Sequence, residues 1–298
     1  MRQVSRRNFL KFCTASGVVL GLDPLHMTGL NRALANPNGP TVLWLQGSGC
    51  TGCTMSLLDY ISPTAPTDIA DVLINYINLA YHPNLIPAAG ESAAAVIDQA
   101  YQSGNYVLAV EGGISTAFDG AACWAWTVNG RDVTFAEAVT QLAARAAAIL
   151  CMGTCASWGG IPAAGPNPTG IVGVGAFTGR PTINIGGCPP HPNWMVWAIV
   201  QLLLGKSIAV DTYRRPTAIY GQKFHERCPL KETDEINTYG VPNRCLKALG
   251  CRGPETFANC DQIRWNNGVN WCIGAGAPCI GCTSPSFPGT NALNRQPA

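Results

Sequence analysis

From residue 40 to residue 215, strand-like apolar segments alternate with helix-like ones. Short apolar runs bounded by glycine or polar residues predict buried strands at Thr41–Leu45, Tyr106–Val110, Ala148–Met152 and Thr182–Ile185. Longer apolar segments predict helices at Met55–Ile61, Asp68–Leu79, Thr134–Ala147 and Pro192–Leu204. Strands that alternate with helices are typical of a parallel sheet covered by helices, so we predict an α/β domain.

Cysteines closely follow three of these predicted strands. Cys50 and Cys53 come after the first strand, Cys155 after the third and Cys188 after the fourth, each near a glycine. In an open parallel sheet, ligands bind in the crevice at the carboxyl ends of the strands, and glycine lets the backbone approach them closely. We therefore predict that these four thiols converge at one edge of the sheet and hold one metal centre.

After residue 216 the pattern changes, because periodic apolar runs become scarce and seven cysteines fall within the remaining residues. Such a segment cannot bury enough apolar surface alone, so bound metal would have to hold it together. Two further donor sets lie in this region. The first consists of His225, Cys228, Cys245 and Cys251, and the second of Cys260, Cys272, Cys279 and Cys282.

Three sets of four thiolate or imidazole donors suit three iron–sulfur clusters, because thiolates bind iron and sulfide-bridged iron strongly. Structural zinc is the alternative for the two C-terminal sets, since four thiolates, or three thiolates and one imidazole, are also common zinc ligands. A disulfide framework is the alternative for an exported chain with 14 cysteines. Cys123 and Cys151 lie outside the sets, and Cys151, inside a predicted strand, is expected to be a buried small apolar side chain.

The first 35 residues have the pattern of an export signal. Ser5-Arg6-Arg7-Asn8-Phe9-Leu10-Lys11 matches the twin-arginine pattern, and the apolar run that follows, Phe12 to Leu22, is too short to span a bilayer. Ala33-Leu34-Ala35 supplies a small-residue cleavage site, so we expect cleavage after Ala35. The twin-arginine route carries folded proteins, often with cofactors inserted, which favours metal centres over disulfides.

The composition indicates a protein partner rather than nucleic acid. Charged residues make up 12% of the chain, against roughly 25% in ordinary globular proteins, so we expect part of the surface to face another protein. No basic run or interleaving of aromatic and basic residues points to nucleic acid. Thr283 to Ala298 contains no apolar stretch, so we expect no membrane anchor there.

Four segments of the chain closely resemble the small subunit of nickel–iron hydrogenases: Trp44–Cys53, Gly153–Pro162, Gly187–Pro192 and Asn270–Cys282. The resemblance covers essentially the whole chain, including the export signal. It implies a flavodoxin-like parallel-sheet domain followed by a small, irregular iron–sulfur cluster domain. The predicted boundaries are 1–35 for the signal, 36–215 for the flavodoxin-like domain and 216–298 for the cluster domain.

The resemblance also implies a role for each donor set, with three [4Fe-4S] clusters in all. The proximal set, nearest the nickel–iron centre, is Cys50, Cys53, Cys155 and Cys188. The distal set is His225, Cys228, Cys245 and Cys251, and the medial set is Cys260, Cys272, Cys279 and Cys282.

Two departures within the family refine the cluster types. Many members have proline directly after the Asn-Trp pair and a three-iron medial cluster, whereas this chain has Cys272 there. Cys272 therefore predicts a four-iron medial cluster, as in the nickel–iron–selenium branch; without it as a ligand the cluster would be [3Fe-4S]. Gly52 and Gly160 stand where oxygen-tolerant members have extra cysteines, so we expect an ordinary four-iron proximal cluster.

In this family the small subunit transfers electrons between the nickel–iron centre of a large subunit and an external acceptor during reversible H2 oxidation. We therefore expect a heterodimeric hydrogenase of the periplasmic uptake class, soluble or peripherally attached to the membrane. The expected acceptor is a multihaem c-type cytochrome or a membrane cytochrome subunit. An independent ferredoxin-like carrier is the alternative, disfavoured by the low charge and by the size of the α/β domain.

Three polar residues near the cysteines carry further expectations. His225 replaces a thiolate by a neutral imidazole, which makes the distal cluster less negative and raises its potential. His191 follows the Cys188 loop and is expected to be an ordinary structural residue, with orientation of that loop by hydrogen bonding as the alternative. Glu111, at the end of a predicted strand, either hydrogen-bonds a loop or takes part in proton movement or in the subunit interface.

Overall fold

The computed structural model describes residues 41–63, 66–86 and 88–289. The predicted export signal, residues 1–35, lies outside these described residues, and so does the chain from residue 290 onward. Within the described ranges, no helix combines the length and the apolar character needed to cross a membrane.

Five parallel strands form the central sheet, and two small antiparallel pairs accompany it. The strands are β1 (Thr41–Gln46), β2 (Leu79–Tyr81), β3 (Tyr106–Glu111), β4 (Ile114–Ser115), β5 (Trp124–Val128), β6 (Arg131–Thr134), β7 (Ala148–Met152), β8 (Ile171–Val172) and β9 (Ile183–Ile185). The sheet order is β2-β1-β3-β7-β9, while β4 pairs with β8 and β5 with β6. Counting the five parallel strands along the chain, this is the 2-1-3-4-5 order of flavodoxin-like folds, so the predicted fold class is confirmed.

Short and medium helices connect the strands. The α-helices are α1 (Gly52–Leu58), α2 (Ile69–Asn75), α3 (Gly90–Ser103), α4 (Phe135–Arg145), α5 (Thr154–Trp158), α6 (Val174–Thr178), α7 (Pro192–Leu203), α8 (Thr217–Tyr220), α9 (Cys260–Ile263) and α10 (Trp265–Gly268). The 3-10 turns are Ala117–Gly120, Ile161–Ala163, Phe224–Arg227, Lys247–Leu249, Gly253–Glu255 and Ile273–Ala275. Regular elements therefore become short and sparse after α7.

Local sequence signals fix where the longer helices begin and end. Thr134 caps α4 by accepting a hydrogen bond from the Glu137 backbone N–H at 3.1 Å, the Ser/Thr-to-Glu spacing of a capping box. The α7 helix begins with Pro192, whose missing N–H costs nothing in the first turn. The α3 helix ends at Gly104, which adopts a left-handed conformation with φ of 66°.

The sheet is buried on both faces. In β1, Val42 and Trp44 pack on one face with α1, α2 and α7, and Leu43 and Leu45 pack on the other with α3 and α4. A strand covered on both faces reads as a continuous apolar run, which is why these strands were predictable. Cys151 in β7 is completely buried on the second face, which confirms it as a small apolar core side chain.

Several elements differ from the predicted ones. The helix predicted over Asp68–Leu79 is shorter, because Asp68 is its N-cap and the chain leaves α2 after Asn75 to form β2 against β1. The α3 helix and the β5–β6 hairpin were not predicted. Alanine-rich α3 buries only a narrow stripe, including Ala93, Ile97 and Ala100, so its apolar pattern is weak.

The chain after α8 forms a small irregular unit around its own apolar cluster. That cluster consists of Phe224, Cys228, Trp271, Ile273 and Cys279. The phenyl ring of Phe224 packs edge-on against Trp271, with ring centroids 5.1 Å apart. The exact domain boundary predicted at 215/216 stays a prediction.

Candidate metal centres

The carboxyl ends of the parallel strands lie level with one another, and this brings the proximal set to one edge. Gln46 of β1 is opposite Glu111 of β3, Glu111 is opposite Met152 of β7, and Met152 is opposite Ile185 of β9. The loops that carry Cys50, Cys53, Cys155 and Cys188 start from three of these four strand ends. The predicted convergence follows from this register.

Glycines let the proximal loops pack closely against the thiols. Gly153 has φ of 92°, and a Cβ atom at this position would overlap the Cys53 sulfur. Gly160 has φ of 56°, and its Cβ would lie 2.9 Å from the Cys155 sulfur. Neither position tolerates a side chain while the sulfurs keep their places, so the glycine-rich sequence is a requirement of the site.

The four proximal thiols are close enough to repel one another when charged. Burial is the main cause that raises the pKa of the Cys53 thiol, and the charges of Glu111, Cys155, Cys188 and Cys50 raise it further. Burial, followed by the Cys188 charge, raises the pKa of Cys155 to about 12. Four thiolates at this edge therefore need a positively charged group among them to be stable.

Glu111 is the centre of a buried hydrogen-bond network beneath the proximal set, and it is only 1% exposed. One carboxylate oxygen accepts from the backbone N–H groups of Cys53 at 2.9 Å and Thr54 at 3.1 Å. The other accepts from the Trp44 indole N–H at 3.1 Å and from the Thr54 hydroxyl. Glu111 therefore fixes the start of α1, which agrees with the loop-hydrogen-bond alternative.

His191 joins the sheet domain to the C-terminal region rather than bonding to the Cys188 loop itself. Its Nδ1 accepts from the Asn193 N–H at 3.1 Å, so Nε2 carries the proton and donates to the Arg264 carbonyl at 2.7 Å. Burial is the main cause that lowers the pKa of His191, which favours this neutral form. Arg264 directly follows α9, the helix that begins with Cys260.

A second bond holds the other end of α9. The Trp194 indole N–H donates to the Asn259 side-chain oxygen at 2.7 Å, and Asn259 directly precedes Cys260. The first turn of α7, a few residues after Cys188, thus holds both ends of the helix that carries Cys260. The sequence signal for this contact is weak, because nothing local relates Trp194 to Asn259.

The distal set is assembled from two loops. His225 is half-buried in the 3-10 turn Phe224–Arg227, and Cys228 is the residue that ends this turn. Burial raises the pKa of the Cys228 thiol, and the charges of Cys251 and Cys245 raise it further, so these three thiols are neighbours. Cys245 is held beside residues 234–236 by two backbone bonds, from its own N–H to Asp234 and from Ile236 to its carbonyl, each 3.0 Å long.

The medial set is also brought together, and three of its four members are at least half-buried. Burial raises the pKa of the Cys260 thiol far above its usual value, and the charges of Cys282, Cys279 and Cys272 raise it further. Burial likewise raises the pKa of Cys279 to about 11 and that of Cys282 to about 12. Cys272 is exposed, but it lies near enough for its charge to raise the pKa of the other three thiols.

The medial set contacts both other sets. On one side, the Cys282 carbonyl accepts a hydrogen bond at 2.5 Å from the hydroxyl of Thr154, the neighbour of Cys155, which links the proximal and medial sets. On the other side, the Cys279 N–H donates to the Cys251 sulfur at 3.3 Å, which links the medial and distal sets. The order along the molecule is therefore proximal, medial, distal.

The donor sets fit iron–sulfur clusters in the chemistry of their donors. Each set offers thiolate or imidazole donors, as iron–sulfur clusters require. Among the described residues, no group of three or more His, Cys, Asp or Glu side chains is arranged as it stands to hold a metal ion. The sets are thus defined by the mutual proximity of their charges and by the contacts between their loops.

Two cysteines and two threonines outside the donor sets also have defined positions. Cys123 is half-buried, which raises the pKa of its thiol, and Cys151 lies in the core. Sequence reasoning missed Thr54 and Thr154, each adjacent to a proximal cysteine and each with a buried hydroxyl that bonds another loop. The available sequence signal was a threonine next to a cysteine at a strand end. The hydrogen-bond partners of its hydroxyl lie far away in the sequence, so this signal does not identify them.

The chain matches two family models and full-length relatives. A model described as NADH ubiquinone oxidoreductase, 20 Kd subunit, matches residues 50–202, and one for the C-terminal part of the NiFe/NiFeSe hydrogenase small subunit matches residues 220–294. The periplasmic [NiFeSe] hydrogenase small subunit of Desulfomicrobium baculatum is 37% identical over 96% of both chains. The periplasmic [NiFe] hydrogenase small subunit of Solidesulfovibrio fructosivorans is also 37% identical, over 95% of this chain and 90% of the relative.

Solved structures give the same result. The recombinant [NiFeSe] hydrogenase of Desulfovibrio vulgaris Hildenborough is similar with a TM-score of 0.80 and 35% identity, covering 89% of this chain and 99% of that chain. The Desulfomicrobium baculatum [NiFeSe] hydrogenase is similar with a TM-score of 0.77 and 37% identity, covering 86% and 98%. Sequence and structure agree over both the sheet domain and the cysteine-rich region, and the chain belongs to the family of NiFe/NiFeSe hydrogenase small subunits.

Proposed function

We propose that this chain carries electrons, through three iron–sulfur clusters, between the nickel–iron centre of a large subunit and an external acceptor. The observation that carries the proposal is the series of contacts from proximal to medial to distal set, through the hydrogen bonds Thr154–Cys282 and Cys279–Cys251. Sites that touch in series suit stepwise transfer across a protein. When bound, the clusters would supply the one-electron redox chemistry, and the chain would supply their positions and surroundings.

Exposed side chains beside the proximal set support docking of the large subunit at this edge. Cys50 is exposed, and so are two apolar neighbours in the proximal loops, Met55 at 62% and Ile161 at 41%. Exposed apolar groups beside a metal-binding thiol are typical of a surface that another protein covers. The H2-activating centre would then lie on the partner, directly opposite the proximal set.

The distal set supports the opposite end of the path. His225 is half-buried, so one edge of its ring is within reach of a docked acceptor. An imidazole in place of a thiolate makes the distal cluster less negative and raises its potential, which favours electron flow outward. A multihaem c-type cytochrome or a membrane cytochrome subunit would act as the acceptor.

The medial set supports a four-iron cluster. Cys272 lies close enough to Cys260 and Cys282 to raise the pKa of both thiols, so a fourth thiolate is available. The proximal set has glycine at Gly52 and Gly160 in place of further thiols, which supports an ordinary four-iron cluster there.

The N-terminal sequence supports export to the periplasm by the twin-arginine route, with cleavage after Ala35. Two relatives carry the word periplasmic in their names, in agreement with this location. Replacing Arg6 and Arg7 by lysine is expected to leave the heterodimer in the cytoplasm, as measured by fractionation. Normal periplasmic levels would refute the signal assignment.

Electron paramagnetic resonance of the purified heterodimer tests the function. Spectra of the oxidised protein and of the protein under H2 are compared for the unmodified chain, for Cys272→Ser and for the control Cys123→Ser. We expect cluster signals that change under H2 in all three samples. We also expect an oxidised three-iron signal only in Cys272→Ser, because only this change removes a medial ligand.

The outcomes separate the hypotheses. Cluster signals that do not change under H2, although an intact large subunit is bound, would favour the independent-carrier alternative. A colourless protein that contains zinc would refute the cluster assignment. A three-iron signal in the unmodified protein would refute Cys272 as a ligand and leave the electron-transfer function standing.

A further inference from the structure

Thr154 occupies the junction between the proximal and medial sets. It is 1% exposed and directly precedes Cys155 at the start of α5. Its hydroxyl accepts from the Gly187 N–H at 2.9 Å and donates to the Cys282 carbonyl at 2.5 Å. Its own N–H donates to the Gly187 carbonyl at 2.9 Å.

These three hydrogen bonds join three separate loops, and each loop carries a predicted ligand. Thr154 neighbours Cys155, Gly187 neighbours Cys188, and the third partner is Cys282 itself. Thr154 and Cys282 are 128 residues apart in the chain, so this bond joins the sheet edge to the C-terminal region. One buried hydroxyl thus contacts loops of both the proximal and the medial set.

The bond is also short, and its donor, Thr154, is buried. A hydroxyl donor at 2.5 Å from a carbonyl lies at the short end of the usual range for such bonds. The hydroxyl of buried Tyr220 donates to the Gly186 carbonyl at 2.7 Å, so a further bond holds the loop that carries Gly187. The separation of the two sets is therefore fixed by a rigid network.

We infer that Thr154 is a positioning residue for electron transfer, whose hydroxyl fixes the proximal and medial sites at their separation and forms the contact across which the electron passes. The inference rests on the function proposed above. The step moves one electron from the proximal site, which is oxidised, to the medial site, which is reduced. No bond forms or breaks and no proton moves, and the electron originates from H2 oxidation on the large subunit.

The test compares three variants of the purified heterodimer. Thr154→Val removes the hydroxyl and keeps the shape, Thr154→Ser keeps the hydroxyl, and Thr182→Val is the matched control. Thr182 is also a buried threonine, 2% exposed, but its hydroxyl donates to the Asn184 side chain within the sheet. Oxidised samples are mixed with H2, frozen at successive times and examined by electron paramagnetic resonance.

In Thr154→Val we expect the proximal signal to change at the unmodified rate. Reduction beyond the proximal site should slow on the order of tenfold, the usual loss when a residue supporting a metal ligand is removed. Thr154→Ser should restore the rate, and Thr182→Val should not alter it. A second readout is hydrogen–deuterium exchange, in which the Gly187 amide should exchange faster in Thr154→Val only.

The inference is overturned if Thr154→Val with full iron content reduces its medial and distal sites at the unmodified rate. It is equally overturned if Thr182→Val slows them as much, or if Gly187 exchange does not change. Should Thr154→Val fail to assemble, Thr154→Ala, which removes the hydroxyl without added bulk, replaces it. Failure of the proposed function would appear in the unmodified heterodimer, as clusters that H2 does not reduce.

Discussion

Replacing Glu111 by glutamine tests whether the proximal set depends on the buried carboxylate beneath it. Each oxygen of Glu111 accepts two hydrogen bonds, one from the two backbone N–H groups of Cys53 and Thr54, the other from the Trp44 indole and the Thr54 hydroxyl. In glutamine, one oxygen becomes an NH2 group. At least one N–H donor then faces another donor.

The amide of the new glutamine can take two orientations, and the one that costs less free energy sets the expected loss of stability. If the NH2 group faces Trp44, the Thr54 hydroxyl turns round to accept, and only the indole N–H loses its partner. Losing one bond to a charged acceptor costs roughly 1.5–3 kcal/mol. The two remaining backbone bonds, to Cys53 and Thr54, fall to about half their strength once the acceptor is neutral. Burying a neutral amide costs less than burying a charged carboxylate, which offsets part of these losses. We therefore expect the free energy of unfolding to fall by about 3 kcal/mol.

A loss of about 3 kcal/mol is a large part of the 5–15 kcal/mol that stabilises a typical domain. The assay is denaturant unfolding of the heterodimer, followed by circular dichroism, together with iron content and the proximal resonance signal. Glu137→Gln is the control, because Glu137 makes only a surface ion pair with Arg131 and its loss should cost below about 1 kcal/mol. Equal stability and equal proximal signal in both variants would refute the reasoning.

Three further predictions concern a glycine, a histidine and an arginine. Gly153→Ala should lose the proximal cluster but keep the other two, whereas Gly165→Ala, also at positive φ but with open space around it, should keep all three by iron analysis. Burial lowers the pKa of His82 from 6.5 to about 4, so the unfolded chain binds a proton that the folded chain does not. The contribution of neutral His82 to the free energy of unfolding is therefore fully present above pH 6.5. It falls by about 3 kcal/mol as the pH drops to 4, and His82→Gln should remove this loss. Arg215→Met, which removes a buried guanidinium from its pair with half-buried Asp211, should cost roughly 1.5–3 kcal/mol in urea unfolding, and Lys247→Met at the surface should cost clearly less.

Each of these predictions has a contrary result. A normal proximal signal in Gly153→Ala would mean that the Cys53 sulfur does not lie against that glycine. A pH profile unchanged by His82→Gln would assign the acid loss to other groups. Equal effects of Arg215→Met and Lys247→Met would mean that the Arg215 bonds to Asp211 and the Thr283 carbonyl add no stability.

The strand ends were predictable because parallel strands buried on both faces leave a plain apolar signal. The predicted strand Ala148–Met152 has the bounds of β7, and the predicted strand Thr182–Ile185 contains all of β9. Their register then brings Cys155 and Cys188 to the same edge as the β1 loop. Since ligands gather at the carboxyl edge of such sheets, the place of the proximal set followed from the pattern alone.

The bonds between distant segments were not predictable in this way. Thr154 meets Cys282 across 128 residues, and Trp194 meets Asn259 across 65. A side-chain hydrogen bond leaves no periodic trace in a sequence, and a single threonine or asparagine is common in any loop. For the same reason the sequence allows three roles for Glu111, whose four hydrogen-bond donors lie on Trp44, Cys53 and Thr54.

The C-terminal region connects the donor sets to the proposed export route. Its apolar cluster contains Phe224, Trp271 and Ile273, and its remaining members, Cys228 and Cys279, are predicted ligands. Burial raises the pKa of both thiols, so without bound metal they stay protonated and contribute only small apolar surfaces. Metal binding at these positions would release the protons and add the stability that so small a core lacks. A region that folds only with its clusters has to acquire them before export, which is what a transport route for folded proteins permits.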